Sequence, residues 1–129
     1  MPVIWVSEAT VLAIHDGQLA EHGGSSGVRD AGLLESALAR PRNLAAYGSP
    51  DIASLAAAYA FGIARNHPFV DGNKRTAYVV AELFAVLNGF DITAPDPDVV
   101  LVTEQLAAGA LSEQEYGTWI RNNLQPLRE

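Results

Sequence analysis

The stretch Asn73-Lys74-Arg75-Thr76-Ala77-Tyr78-Val79-Val80-Ala81-Glu82-Leu83-Phe84-Ala85-Val86-Leu87-Asn88 decides the fold. From Ala77 to Leu87 its only charged residue is Glu82. A helix apolar almost all round is a buried central helix, and Gly89 is a natural residue to end it. Immediately upstream, Asp51 caps a helix in which Ile52, Leu55, Ala56, Tyr59 and Ile63 recur at three- and four-residue steps as far as Asn66. His67 precedes Pro68, and a residue before proline is pushed out of the α region, so that helix ends there. Phe69–Gly72 then forms a turn into the central helix.

Working outward, Val3-Ile4-Trp5-Val6 is long enough only for an edge strand or an anchoring segment. Ser7 caps a helix near 7–22, with Val11, Leu12, Ile14 and Leu19 on its apolar face. Gly23-Gly24-Ser25-Ser26-Gly27 breaks it. Asp30 caps a second helix near 31–40, carrying Leu33, Leu34, Ala37 and Leu38, and Pro41 is expected to stop it. Arg42–Pro50 has no sustained period and reads as a loop or flap. Beyond the central helix, Phe90–Thr93 is extended, and Pro95 and Pro97 open a helix near 98–108. Ser112 and Glu115 form a capping box for a last helix ending near Asn123. The expected architecture is one all-α domain over 1–129, a compact bundle of about six helices around the helix 73–88, with a possible short strand or flap.

Composition narrows the function. The 129 residues are 49% hydrophobic; Ala and Leu total 35 against 22 for Val, Ile and Thr, which favours helices. The absence of cysteine excludes disulfides, thiolate-bound metals and thiol catalysis. Eight basic residues against 15 acidic give a net charge of −7, which argues against a direct nucleic-acid surface. No apolar run reaches membrane-spanning length, and Met1–Trp5 lacks the features of a signal peptide, so the expectation is a cytoplasmic protein with no membrane contact.

The chemistry concentrates at the start of the central helix. The chain's only lysine, Lys74, stands there beside Arg75. A helix N-terminus carries about half a positive charge and favours acidic residues, so two cations in the first turn oppose it. A bound anion accounts for them, because it also takes the open backbone N–H groups. Gly72 lets the backbone approach a ligand closely. Asp71 can hold a hard divalent cation against phosphate oxygens, and His67 offers a base near neutral pH. Base, carboxylate, glycine turn, cation pair and helix N-terminus within nine residues meet the needs of phosphoryl or nucleotidyl transfer.

The string His67-Pro68-Phe69-Val70-Asp71-Gly72-Asn73-Lys74-Arg75 resembles the Fic/Doc family pattern H-P-F-x-[DE]-G-N-G-R-x-x-R. Lys74 replaces the second glycine and Tyr78 the second arginine, both typical of the Doc, or death-on-curing, branch. Gly27-Val28-Arg29-Asp30-Ala31-Gly32-Leu33-Leu34-Glu35-Ser36-Ala37-Leu38 with Arg40-Pro41, and Thr76-Ala77 after the motif, also resemble that branch. The resemblance implies a helical toxin with His67 as general base and Asp71 as the magnesium ligand. It implies that Gly72 and Asn73 shape an anion loop, Lys74 and Arg75 hold phosphates of ATP, and Phe69 anchors the loop from below. In Fic enzymes AMP is transferred to a hydroxyl. In the Doc branch the lysine intrudes on the anion nest, the nucleotide sits reversed, and the γ-phosphoryl group goes to a Ser or Thr of elongation factor Tu, stopping translation. The family's inhibitory motif [ST]-x-x-x-E-[GN] is missing: Ser112-Glu113-Gln114-Glu115-Tyr116-Gly117 has the wrong spacing. Inhibition is then expected in trans, from a Phd-like antitoxin whose tail folds on binding.

By the same resemblance, Arg42–Pro50 is either a target-docking flap or a plain connecting loop. His15, within the first helix, reads as a partly buried structural residue, and His22 as a favourable contact with the helix dipole. Tyr59, Phe61, Tyr78 and Phe84 read as core, and Trp119 and Ile120 as docking the last helix. The functional alternatives are an AMP transferase, against which Lys74 argues, and a non-catalytic binding module, against which His67 and Asp71 argue.

Overall fold

The computed structural model describes residues 2–127; Met1, which begins the stretch Met1–Trp5, lies outside them. The chain runs α1 (Glu8–His22), α2 (Ala31–Ala46), α3 (Ile52–Asn66), α4 (Asn73–Leu87), β1 (Phe90–Ile92), α5 (Asp96–Ala108), α6 (Glu113–Asn122) and β2 (Leu124–Pro126). The caps are those the sequence predicts. Ser7, Asp30, Asp51 and Ser112 each accept a backbone N–H three residues on, and Glu115 returns the bond to the Ser112 N–H at 2.9 Å.

The centre of the bundle is α3, where the sequence pointed to the helix 73–88. Leu55–Ala60, Gly62, Ile63 and Ala64 are all buried in α3, which packs against α2, α4, α5 and α6. In α4, by contrast, Lys74, Arg75, Val86 and Leu87 remain exposed. Six alanines and a glycine keep α3 thin, so neighbouring helices approach closely on several sides. A Cβ built on Gly62 would lie 2.9 Å from Ala37 Cα in α2, closer than packed atoms allow.

Pro41 does not stop the second helix; it lies inside α2, which continues to Ala46. A proline removes one backbone hydrogen bond and crowds the carbonyl four residues earlier. Here it falls on the packed stripe formed by Leu34, Ala37, Leu38, Pro41 and Ala45, and burial of that stripe against α3 carries the helix past it. Arg42–Pro50 is therefore mostly helix. Of that stretch only Tyr47–Pro50 lies outside the helix, as part of the connection to α3.

Val3–Val6 is an anchoring segment. The Val6 N–H donates to Tyr59 Oη at 3.0 Å, and the Asn88 amide exchanges two hydrogen bonds with the backbone of Ile4, each at 2.9 Å. The extended Phe90–Thr93 segment supplies β1, paired antiparallel with β2 from Phe90↔Pro126 to Ile92↔Leu124. The second strand has no readable sequence signal, because three residues show no period. Among the described residues, no helix is long and apolar enough to cross a membrane.

Asp51 ties α3 to α6. It caps α3 and also accepts from Arg121 at 2.7 and 3.0 Å. The Arg121 hydrogen bond, more than any other contact, holds its carboxyl well below the usual carboxylate range. A lowered folded-state pKa adds stability above the unfolded value of about 3.9, and that stability is lost as pH falls through the folded value. The pair is half exposed, so solvent screens it. Asp51→Asn, which keeps the cap, is expected to cost at most about 1 kcal/mol near neutral pH. In urea unfolding the gap to wild type should begin to narrow as pH falls below about 4 and close only below the lowered folded value, where the wild-type carboxylate protonates; a gap that does not narrow on acidification would contradict it.

Candidate active site

Helix α3 ends at Asn66 as the proline predicts, and His67 leaves the right-handed α region for the left-handed one (φ 52, ψ 53). Its N–H still closes on Ile63 O at 3.1 Å, so His67 takes the place a glycine usually holds at a helix end. Non-glycine residues rarely adopt this conformation, although histidine does so more often than most.

Phe69 lies under the turn. It is fully buried, and the His15 imidazole stacks on it with centroids 3.8 Å apart and planes 8° from parallel. The Nε2 of His15 lies 2.8 Å from Asp71 O. A carbonyl only accepts, so Nε2 carries the proton. His15 thus supports the loop from α1, a more specific role than a partly buried helix histidine.

The buried Asn73 side chain closes the turn on itself. Its Nδ2 donates to Phe69 O at 3.0 Å and its Oδ1 accepts from Phe69 N at 2.9 Å. The side chain therefore shapes the loop, and only its backbone N–H remains for an anion. Gly72 precedes it with φ 76, the left-handed region that suits glycine, and a Cβ there would meet Leu19 Cδ2 at 3.4 Å. No side chain caps α4, so the N–H groups of its first turn are open.

The exposed Asp71 carboxylate is oriented by two backbone donors, Ser25 N–H on Oδ2 at 3.3 Å and its neighbour Gly72 N–H on Oδ1 at 2.9 Å. These bonds, that from Ser25 first, lower its pKa, with Arg75 adding a smaller pull. Lys74 and Arg75 are exposed and, among the described residues, make no ion pair. Tyr78 supplies no cation in place of the second arginine; its hydroxyl donates to Glu82 at 3.4 Å.

His67, Asp71, Gly72, Asn73, Lys74 and Arg75 line one cleft of about 490 Å³, and Val99, Val100, Thr103 and Glu104 of α5 form part of its wall. His22 does not line it; it sits 3.8 Å from Glu21 at the end of α1. Arg29 and Ser25, given no role in the sequence reading, also reach this turn. The glycine-rich tract before Val28 marked a break but not its destination.

A model of the Fic/DOC family matches residues 5–85, from the N-terminal anchor into α4. The chain belongs to the Fic/DOC family. The match contains the whole Fic/DOC motif turn and the α1 residues that brace it. Over 117 residues the chain is 32% identical to Protein kinase doc of Escherichia phage P1, covering 90% of this chain and 92% of that protein. Over 75 residues it is 47% identical to Toxin Doc of Mycolicibacterium smegmatis, covering 56% of this chain and 57% of that protein.

Asn73→Ala is expected to leave the buried Phe69 N–H and C=O without partners, at about 1–3 kcal/mol for each unsatisfied group. Urea unfolding should report a loss of about 2–4 kcal/mol. A loss near zero would mean that the turn holds itself.

Proposed function

We propose that this Fic/DOC chain is the toxin of a toxin–antitoxin pair and acts as a protein kinase, moving the γ-phosphoryl group of ATP to a Ser or Thr hydroxyl of a target protein. The observation that carries the reading is the unpaired Lys74–Arg75 cation pair on the uncapped N-terminus of α4, in one cleft with His67 and Asp71. The similarity to Protein kinase doc along nine-tenths of the chain supports it.

In this reading the phosphates lie on the open N–H groups of α4 and between Lys74 and Arg75. His67 accepts the proton of the target hydroxyl as its oxygen attacks the γ-phosphorus and ADP leaves. Asp71 fits magnesium: it is exposed to the cleft, its low pKa keeps it ionised, and its oxygens are already oriented. No group of three metal-ligating side chains occurs among the described residues. That suits an ion that takes few protein ligands and completes its shell with phosphate oxygens and water. Bound there, magnesium would offset charge building on the transferred group.

The proposed target is a translation factor such as elongation factor Tu, in the cytoplasm, with translation as the process stopped. The proposed inhibitor is a Phd-like antitoxin acting in trans, since Ser112–Gly117 serves as the capping box and first turns of α6. Incubation with a cell extract and ATP labelled at either the α or the γ position tests the assignment. Protein labelled only from γ-labelled ATP supports it; label from the α position assigns AMP transfer instead, and no label from either leaves only a binding module.

A further inference from the structure

Three consecutive carbonyls, those of Asn66, His67 and Pro68, emerge where α3 gives way to the motif turn. Residue 29 meets all three. Arg29 Nη2 donates to Asn66 O at 2.9 Å and Nε to His67 O at 2.7 Å, and the Arg29 backbone N–H donates to Pro68 O at 2.7 Å. Asp30 N–H joins at Pro68 O at 3.1 Å, and Val70 N–H returns a bond to Gly27 O at 3.0 Å.

The two side-chain bonds have a specific mechanical effect. The φ torsion of His67 turns the peptide plane that carries Asn66 O, and its ψ torsion turns the plane that carries His67 O. One guanidinium bound to both oxygens therefore fixes both torsions. They need fixing: φ 52 and ψ 53 is a conformation that is strained for a non-glycine residue. Pro68 also favours extended backbone at the residue before it. Relaxation of ψ in that direction would swing the imidazole away from its present place in the cleft. Arg29 is exposed and, among the described residues, forms no ion pair, so it binds these carbonyls without a competing carboxylate.

We propose that Arg29 is a positioning residue for catalysis, a clamp that holds His67 in its left-handed conformation and so aims the imidazole at the reacting hydroxyl. The inference rests on the reading of His67 as general base. A planar fork is required: lysine, a point charge on a flexible stem, cannot hold two carbonyls in fixed directions.

The test uses the full chain with Arg29→Ala and Arg29→Lys. Backbone carbon-13 shifts of His67 report its conformation without reference to activity. Steady-state phosphoryl transfer separates kcat from KM for ATP, and free guanidinium ion is added as a rescuing agent. Arg29→Ala should shift His67 away from left-handed values, lower kcat about 10²-fold and leave KM for ATP unchanged, because the phosphate groups lie on α4. Guanidinium should restore part of that kcat but none of the activity lost in His67→Ala, and Arg29→Lys should fall between wild type and Arg29→Ala. His67 shifts identical to wild type in Arg29→Ala, or a kcat equal to wild type, overturn the clamp. So does a change confined to KM. If wild-type protein transfers no phosphoryl group, the kinase reading fails, and the His67 shifts alone decide the clamp. Should Arg29→Ala not fold, Arg29→Lys carries the same comparison.

Discussion

His67→Ala is expected to lower phosphoryl transfer by about 10²–10⁴-fold and to remove toxicity, with the fold unchanged. The size follows from the proposed role of His67, which would accept the hydroxyl proton as the bond to phosphorus forms. The fold should survive because the His67 side chain is exposed, so its removal opens no cavity. Every hydrogen bond described at His67 uses its backbone: the N–H to Ile63 and the carbonyl from Arg29. Alanine keeps both. Phe69, His15 and Asn73 brace the turn independently. The measurements are the transfer rate with labelled ATP, growth on expression of the variant, and thermal unfolding. A variant that unfolds, or one that stays fully toxic, makes His67 structural and removes the proposed mechanism.

Lys74→Gly is expected to weaken γ-phosphoryl transfer strongly and to open a route to AMP transfer. A glycine at this point would leave the first turn of α4 as a bare backbone nest able to take the α- and β-phosphates. In the proposed reading lysine occupies that space and adds a unit of positive charge, so that the nucleotide would seat with its terminal phosphate nearest His67. Any gain of AMP transfer should stay small. The second arginine of the Fic pattern is Tyr78 here, whose hydroxyl is directed to Glu82 and provides no charge for a phosphate. The substitution also places glycine within a helix, at about 1 kcal/mol, so unfolding must be measured beside activity. Mass spectrometry of the modified target decides the matter, since phosphorylation adds about 80 Da and AMP about 329 Da to the acceptor. A wild-type product carrying AMP would overturn the kinase assignment.

The electrostatics of the site were legible because they are local. Two cations in the first turn of a helix are anomalous wherever that helix packs, and the glycine and carboxylate beside them are within a few residues of it. The caps at Ser7, Asp30, Asp51 and Ser112 were legible for the same reason: each is a bond across three residues. Pro41 was misleading because local backbone chemistry opposed a helix that tertiary burial sustains. The centre of the bundle was misplaced because alanine, weakly hydrophobic, understates burial. The alanines of α3 lie deeper than the valine and leucine that close α4, since small side chains let neighbouring helices approach.

By itself the sequence determined the helical class, the positions of the helix starts, and a base, a carboxylate and a cation pair gathered in nine residues around the start of α4. These follow from capping, periodicity and the helix dipole, which act over one or two turns. Tertiary structure alone decided that α3 is the core, that α2 runs through its proline, and that Leu124–Pro126 returns to pair with Phe90–Ile92. It also decided what holds the motif turn: His15 from α1, 56 residues from Asp71 in sequence, and Arg29, 38 residues from His67. Such contacts leave no periodic trace, because a hydrogen bond to a distant backbone carbonyl depends on where the chain has been brought and not on the residues beside it.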